Sequence, residues 1–246
     1  MASQPVKTNT IPLHVAVLET GHSPESLIPR YGSYPEMGTQ LLIDALGDVK
    51  STIISPVSGE PLPAPSDFDA YLIMGSEFSA NDHFDWISEL IAFIQALAIA
   101  RTPLLGICFG HQVIAKAMGG KIENIAWVVG KQHYHPVATA RQSGASGFDT
   151  LCFHQDQVTA LPPAAERDMA SRHCENAAIR YTDWPCWTIQ SHPEFGLEYT
   201  CDLIEYCRAN PLTDQQVDDA IASTDGYVEN NALVIGNIRQ VMRPAN

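Results

Sequence analysis

The fold of this chain is constrained most by short, fully apolar runs that alternate with segments of helical periodicity. Residues 71–74 and Leu104–Ile107 are continuous apolar runs, which is the pattern of strands buried on both faces of a sheet. Residues 83–100, which lie between them, carry apolar side chains at helical spacing. Because a strand, a helix and a second strand follow one another, we predict a right-handed crossover between parallel strands.

The flanking segments extend this pattern in both directions. Before the first apolar run, the predicted elements are a strand at Leu13–Leu18, a helix at 36–46 that ends at Gly47, and a strand at 52–54. After the second run, helices are predicted at 112–118, 197–207, 213–222 and 231–242, and short β-like pieces at 125–129, 134–139 and 177–181. We therefore predict an α/β protein with an open, mostly parallel sheet flanked by helices and an antiparallel β extension.

The length and the ends of the chain suggest one domain. We predict a flexible leader at 1–10, a single domain at 11–210, and a C-terminal helical extension at 211–246 that packs on the same domain. The polar opening lacks the apolar stretch of a secretory signal, so the expected location is the cytoplasm. No apolar run is long enough to cross a bilayer, and no membrane partner is expected.

Charge and cysteine spacing exclude several classes of function. The chain has 28 acidic and 14 basic residues and a formal charge of −14, which would repel a phosphate backbone, so nucleic acid is not an expected partner. Six cysteines are scattered without a Cys-x-x-Cys pair, which argues against a zinc ribbon and against a disulfide framework. The sequence also lacks a phosphate-binding loop and a dinucleotide fingerprint. Neither a metal nor another cofactor is expected.

One cysteine lies in a turn that suits a nucleophile. The segment LLGICFGHQ places Gly106, Cys108 and Gly110 where the predicted strand passes into a helix, which is the thiol version of a nucleophile elbow. The nucleophile of such a turn has a strained backbone, and larger side chains two residues away would collide with the strand and helix. The helix N-terminus favours a thiolate. The alternative is a glycine-flanked cysteine at a close-packed strand end without chemistry.

A cysteine nucleophile needs a base, and the segment SHPEF offers His192 together with Glu194. Residues two apart in an extended segment point to the same side, so Glu194 can accept the imidazole N–H while the other ring nitrogen faces Cys108. The alternative is a plain turn. A third segment, IMGSEFSAND, ends a strand at Gly75, whose backbone amide could bind an oxyanion, and Ser76 could contact a substrate. The alternative there is a strand-ending turn without chemistry.

Taken together, GICFGHQ and the later SHPEF resemble the motifs of class I glutamine amidotransferases. The resemblance implies that family's flavodoxin-like fold and a Cys108–His192–Glu194 triad. It also implies that Cys108 attacks the γ-carbonyl of a glutaminyl group, that the backbone amide of Phe109 helps to hold the oxyanion, and that Gln112 contacts the substrate.

Two further segments, RYGSYPEM and FHQDQV, are similar to a stand-alone subgroup that includes γ-glutamyl peptidases and proteins resembling the glutaminase unit of GMP synthase. In that subgroup the segment matching residues 154–156 lies over the pocket, which makes Asp156 a candidate to bind the substrate α-amino group. A plain acidic loop is the alternative. The chain departs from the subgroup at 126–128, where Ala-Trp-Val replaces the usual Gly-Trp-Glu.

These features predict a cysteine hydrolase that cleaves a γ-glutamyl amide through a thioester on Cys108. The substrate would be glutamine, with ammonia passed to a separate synthase, or a γ-glutamyl peptide or conjugate that is hydrolysed directly. The lack of a nucleotide-binding motif and of a second domain favours direct hydrolysis or a partner encoded elsewhere. The alternatives are a catalytically silent binding or regulatory protein on the same fold, and a redox or chaperone protein with a similar elbow.

Overall fold

The computed structural model describes residues 12–137 and 146–243, so the predicted leader lies outside the described residues, as do the last two positions of the strand predicted at 134–139. The described strands are β1 (Leu13–Leu18), β2 (Val49–Ile54), β3 (Ala70–Ile73), β4 (Leu104–Ile107), β5 (Lys121–Pro136), β6 (Phe148–Ala160), β7 (Ala165–Ala170), β8 (Ala178–Tyr181) and β9 (Cys186–Ile189). The described helices are α1 (Ile28–Tyr31), α2 (Tyr34–Leu46), α3 (Asp85–Ala100), α4 (Phe109–Ala117), α5 (Leu197–Tyr206), α6 (Asp214–Ser223) and α7 (Ala232–Met242).

The strands form one sheet in the order β2-β1-β3-β4-β9-β8-β7-β5-β6. Neighbours from β2 to β9 pair in parallel, and those from β9 to β6 pair antiparallel. The prediction of an α/β fold with a parallel sheet and an antiparallel extension is confirmed.

Helices cover both faces of the parallel half because its strands are apolar on both sides. Val15 and Val17 of β1 belong to a core that includes buried side chains of α2 and α7. Ala16 and Leu18 belong to the opposite core, with α3 and α4. This division follows the two-residue alternation of a strand. It explains why the runs in β3 and β4, where every residue is buried, contain no polar side chain.

The antiparallel half differs from the predicted short pieces. The β5 strand is one continuous element of 16 residues, although its pairing with β6 shifts register between Asn124 and Val128 and Gly130 has φ 86°. Such irregularities interrupt the period-two pattern by which a strand is recognised. The sequence patterns also do not predict β6, β7 or β9.

The predicted start of α4 at residue 112 is wrong, since the helix begins at Phe109 directly after Cys108. The glycine at 110 suggests a loop, but it lies inside the first turn. A Cβ atom there would come within 2.2 Å of the Ile73 carbonyl oxygen, so glycine is what allows the helix to approach β3 so closely.

At the C-terminal end, α7 packs against α2 and against β4 and β9, while α6 packs against α5 and β5. The division of the chain at residue 210 stays a prediction. No helix among residues 12–137 and 146–243 is long and apolar enough to cross a membrane.

Candidate active site

The turn between β4 and α4 holds Cys108 in a conformation that few residues other than glycine adopt, with φ 51° and ψ −102°. A Cβ atom on Gly106 would lie 2.7 Å from the backbone of Gly110, and this contact leaves no room for a side chain at either end of the turn. Strain of this kind in a non-glycine residue is typical of functional sites. The turn therefore has the geometry of a nucleophile elbow.

The thiol of Cys108 is 5% exposed and lies at the N-terminus of α4. Its sulfur is 3.8 Å from the carbonyl oxygen of Phe153, and Gln190 Nε2 approaches it at 3.6 Å. The backbone N–H of Phe109, the first residue of α4, lies at the same end of the helix. A negative charge on the sulfur would be stabilised there by the amides and the helix dipole.

His192 and Glu194 form a buried pair after β9. Nδ1 of His192 lies 2.8 Å from Oε1 of Glu194, and the two side chains are 6% and 1% exposed. The ring of Phe195 stacks on the imidazole in parallel, with centroids 4.1 Å apart and an interplanar angle of 5°. The carboxylate and the phenyl ring together hold the imidazole in one orientation. Glu194 does lie beside His192, but the predicted extended segment is wrong: the two residues belong to a turn in which the Phe195 N–H donates to the His192 carbonyl at 3.2 Å.

The imidazole of His192 is strongly biased towards its charged form. Burial by itself lowers its pKa, but the negative charges of Glu194 and Cys108, and hydrogen bonds to both, raise the pKa to about 10. His192 Cε1 and Cys108 Cβ both lie within 3.7 Å of the position that a Cβ atom on Gly75 would occupy, so the imidazole and the thiol are neighbours at the end of β3. Cys108, His192 and Glu194 therefore lie together at one place in the fold.

Gly75 ends β3 next to these residues. A Cβ atom on it would come within 2.9 Å of His192 Cε1 and 3.7 Å of Cys108 Cβ, so only glycine leaves the imidazole its place. The peptide before it is anchored because the carbonyl of Met74 accepts hydrogen bonds from Gly110 N at 3.1 Å and from the hydroxyl of Thr20 at 2.9 Å.

The predicted substrate residues Ser76 and Gln112 lie on the wall of the same cavity. The Ser76 hydroxyl accepts the backbone N–H of Phe78 at 3.0 Å. The Gln112 amide group donates to the carbonyl of Asp156 at 2.8 Å and to the side chain of Gln190 at 3.2 Å. Both polar groups therefore also stabilise the wall that they form.

Asp156, on β6, is buried and lines the same cavity. Its oxygens accept hydrogen bonds from the hydroxyl of Ser79 and, at 2.8 Å, from Nδ2 of Asn124. Both partners are neutral. Among residues 12–137 and 146–243, none of those that line the cavity is lysine or arginine, so the negative charge of Asp156 faces the cavity without a basic side chain beside it.

Two further residues near Cys108, one on the cavity wall and one behind it, carry no predicted role. Nδ1 of His154 lies 3.2 Å from the carbonyl oxygen of Asp156, and because a carbonyl only accepts, Nδ1 carries the proton. Burial and the nearby charge of His192 lower the pKa of His154 to about 3. Its Nε2 is a buried acceptor without a hydrogen-bond partner in the described structure. Gln190 contacts the sulfur directly after the end of β9, and no motif in the sequence identified it.

The cavity that joins these groups has a volume of about 540 Å³, a size typical of small-molecule sites. In the described part of the chain, no group of three or more His, Cys, Asp or Glu side chains could hold a metal ion. The site contains a thiol, a charged imidazole with its carboxylate, and helix amides. Groups of these types can carry out acyl transfer from an amide.

Comparisons with known proteins concern the sequence and the fold. Residues 39–202 match the family model described as glutamine amidotransferase class-I. A protein of Schizosaccharomyces pombe named as glutamine amidotransferase-like is 26% identical over 244 residues, which cover 92% of this chain and 97% of that protein. Gamma-glutamyl peptidase 4 of Arabidopsis thaliana is 32% identical over 190 residues, covering 71% of this chain and 73% of that protein. The crystal structure of a glutamine amidotransferase from Thermotoga maritima has the same fold, with a TM-score of 0.72 at 17% identity over 96% of this chain and 100% of that one.

Proposed function

Because this chain belongs to the class I glutamine amidotransferase family, we propose that it hydrolyses γ-glutamyl amides through a thioester on Cys108. The observation that carries the proposal is the buried pair of His192 and Glu194, 2.8 Å apart, which lies together with Cys108 of the strained turn beside Gly75. In this proposal Cys108 is the nucleophile, His192 the acid and base, and Glu194 the residue that orients the imidazole.

In the first half of the reaction, the sulfur of Cys108 attacks the γ-carbonyl carbon and a carbon–sulfur bond forms. The carbonyl oxygen becomes an oxyanion, which the backbone N–H groups of Phe109 and Gly75 bind. The imidazolium of His192 then gives its proton to the departing nitrogen as the carbon–nitrogen bond breaks. An amine leaves, or ammonia when the donor is glutamine, and the γ-glutamyl thioester remains.

Water completes the turnover. His192, now neutral, takes a proton from the water while its oxygen attacks the thioester carbon, and the same two amides bind the second oxyanion. Collapse breaks the carbon–sulfur bond and releases glutamate and the thiolate beside the recharged imidazole. An oxyanion donor of this kind contributes about 3 kcal/mol to the transition state, so both amides matter as much as the orienting carboxylate.

Asp156 is proposed to hold the glutamyl half of the substrate. Its carboxylate faces the cavity with neutral partners only, and the substrate α-ammonium supplies the missing positive charge. Ser76 and Gln112 complete the wall on which the glutamyl chain lies.

Direct hydrolysis of a γ-glutamyl peptide or conjugate is the branch that we favour. The similarity to a protein named γ-glutamyl peptidase supports it. The volume of the cavity supports it as well, because glutamine would fill only part of about 540 Å³. In the other branch, ammonia is released to a separate synthase, and glutamine would then be the best donor.

Incubation with glutamine and a panel of γ-glutamyl dipeptides tests the proposal, with glutamate and ammonia measured separately. We expect glutamate from the peptides with the wild-type protein and none with Cys108→Ala. Ammonia formed from glutamine faster than glutamate from every peptide would favour the synthase-linked branch. No product from any donor, or equal product from Cys108→Ala, would favour a catalytically silent binding protein.

A further inference from the structure

The cavity has two chemically different ends. At one end lie the carboxylate of Asp156 and its polar neighbours Ser79 and Asn124. The other end is apolar and is built from β5, β6, α5 and the turn that follows α5, through the side chains Trp127, Phe153, Leu203, Tyr206 and Pro211. A ligand that spans the cavity therefore meets charge at one end and aromatic surface at the other.

The position of His192 relates these ends to the two halves of the substrate. The imidazole stacks on Phe195, and Phe195 packs in one cluster with Leu203 of α5 and with Phe153. If His192 protonates the departing nitrogen, as proposed above, that nitrogen lies on the side of α5. The glutamyl half then extends towards Asp156, and the leaving group extends along the apolar end.

At the apolar end, other side chains of the protein cover the aromatic rings only in part. Trp127 is half-buried, contacts Phe153 edge-to-face with centroids 5.6 Å apart, and lines the cavity. Tyr206, at the rim, is 59% exposed. Surfaces of this kind bind rings and aliphatic groups and gain little from a small polar leaving group such as ammonia.

Charge further restricts the leaving group. A γ-glutamyl amino acid carries a carboxylate on its leaving half, and the described cavity wall contains Glu77 and Asp156 but neither lysine nor arginine. The side chains of the apolar end carry no charge, and the imidazolium of His192 is already paired with Glu194, so that carboxylate would be desolvated there without a free positive partner. The α-carboxylate of the glutamyl half is common to all γ-glutamyl donors and does not affect their comparison.

We propose that the leaving half of the preferred substrate is an arylalkylamine that carries no carboxylate. γ-Glutamyl arylalkylamides are then better substrates than glutamine or γ-glutamyl amino acids. The observation behind this inference is the aromatic end of the cavity on the side of His192, where the lining side chains Trp127, Phe153, Leu203, Tyr206 and Pro211 carry no charge. The inference rests on the proposed hydrolysis at Cys108, and it assigns Trp127 a role in substrate choice rather than in bond cleavage.

Three donors test it with one chemical change at a time: γ-glutamyl-ethylamide, γ-glutamyl-2-phenylethylamide and γ-glutamylphenylalanine. The second adds a ring to the first, and the third adds only a carboxylate to the second. We expect kcat/KM for the phenylethylamide to exceed that for each of the others by about tenfold. Trp127→Ala should lower the value for the phenylethylamide about fivefold and leave that for the ethylamide within about twofold. Ile99→Ala, at a position 86% exposed on α3, should change neither.

Turnover of the ethylamide by Trp127→Ala shows that this variant is folded, and Tyr206→Ala provides a second variant of the same wall. Equal values of kcat/KM for the three donors, or γ-glutamylphenylalanine as the best of them, would overturn the inference of an arylalkylamine leaving group and leave the proposed hydrolysis intact. Absence of turnover with all three donors and with glutamine would overturn both.

Discussion

The two halves of the sheet contribute different chemistry to the same cavity. The parallel half supplies the groups that would break the bond, since Cys108, Gly75 and His192 all follow the carboxyl ends of neighbouring parallel strands, β4, β3 and β9. The antiparallel half supplies Asn124, Trp127, Phe153 and Asp156 from β5 and β6. Ligand sites of α/β proteins lie at the carboxyl ends of parallel strands, and here the antiparallel extension forms the facing wall.

This division has a physical basis. The ends of parallel strands lie side by side within a rigid core, where Ile73, Leu104 and Ile107 are at most 3% exposed, so reactive groups keep one geometry. The antiparallel strands are partly exposed and irregular. Substitutions in the parallel half should therefore abolish turnover of every donor, whereas those in the antiparallel half should change which donor is preferred.

The largest expected effect is that of Cys108→Ala, which removes the nucleophile of the parallel half. We expect kcat to fall by at least about 10⁴-fold for all donors, because loss of a nucleophile leaves only the binding and oxyanion contributions. Glutamate release measures the effect. The matched control is Cys201→Ala, on a partly exposed thiol of α5, which should retain activity. Residual turnover within tenfold of wild type would place the nucleophile elsewhere.

Iodoacetamide labelling examines the same residue without substitution. Burial raises the pKa of Cys174 to about 12 and raises those of Cys152 and Cys186 even further, so these thiols stay protonated and unreactive. Cys108 lines the cavity. We expect loss of activity to follow alkylation of Cys108 in a one-to-one ratio, as read by mass spectrometry. Preferential labelling of Cys174 would contradict the assignment.

A smaller loss is expected for Glu194→Gln, which keeps the shape of the orienting group and removes its charge. We expect kcat to fall about 10²- to 10⁴-fold, less than for Cys108→Ala, because an orienting carboxylate contributes less than a nucleophile. Since Glu194 is a cause of the raised pKa of His192, the imidazole pKa should also fall, and NMR titration of the ring measures it. An unchanged imidazole pKa would separate Glu194 from the site.

On the antiparallel half, Asp156→Asn should change binding rather than bond cleavage. A charge-assisted hydrogen bond contributes about 1.5–3 kcal/mol, so we expect KM to rise about 10- to 100-fold with little change in kcat. A donor that lacks the α-amino group, glutaramate, should be a poor substrate for the wild type and lose nothing further in the variant.

Asp149→Asn is the matched control for this change, since Asp149 lies on the same strand but pairs with His133 at the surface. It should leave KM unchanged. A fall in kcat at unchanged KM in Asp156→Asn would break the comparison between the halves, because the antiparallel wall would then act in bond cleavage.

The parallel half was the more predictable from sequence. The bounds of β1 and β4 agree with the predicted runs at both ends, because strands buried on both faces leave a continuous apolar signal. The closeness of His192 and Glu194 was predicted from their spacing, although the segment is a turn in the structure and not the extended segment on which that prediction rested. The roles of Cys108, His192, Glu194, Gly75, Phe109, Ser76, Gln112 and Asp156 in catalysis and substrate binding stay predictions.

The antiparallel half was less predictable for identifiable reasons. The shift of register after Asn124 and the left-handed Gly130 divide β5 into segments that each resemble a short piece. The contribution of α5 to the cavity could not be derived, since periodicity indicates which face of a helix is apolar but not what covers it. The neutral, unpaired acceptor of His154 results from burial in the assembled fold, which a single sequence does not specify.

The smallest expected effect concerns stability. It tests whether His192, in the parallel half, makes the free energy of unfolding depend on pH. The folded-state pKa of His192 is raised to about 10, above the value of about 6.5 in an unfolded chain. Below pH 6.5 both states bind the proton and the full stabilisation is present. Above pH 6.5 the unfolded state loses the proton first, so the stabilisation declines until pH passes 10.

The free energy of unfolding of the wild type, minus that of His192→Gln, should therefore decrease between pH 6 and pH 10 in urea titrations. Subtraction cancels the contributions of the other titrating groups, which both proteins share. A difference that stays constant from pH 6 to pH 10 would mean that the imidazole is not held in its charged form by Glu194 and Cys108, and the proton proposed for the leaving amine would need another source.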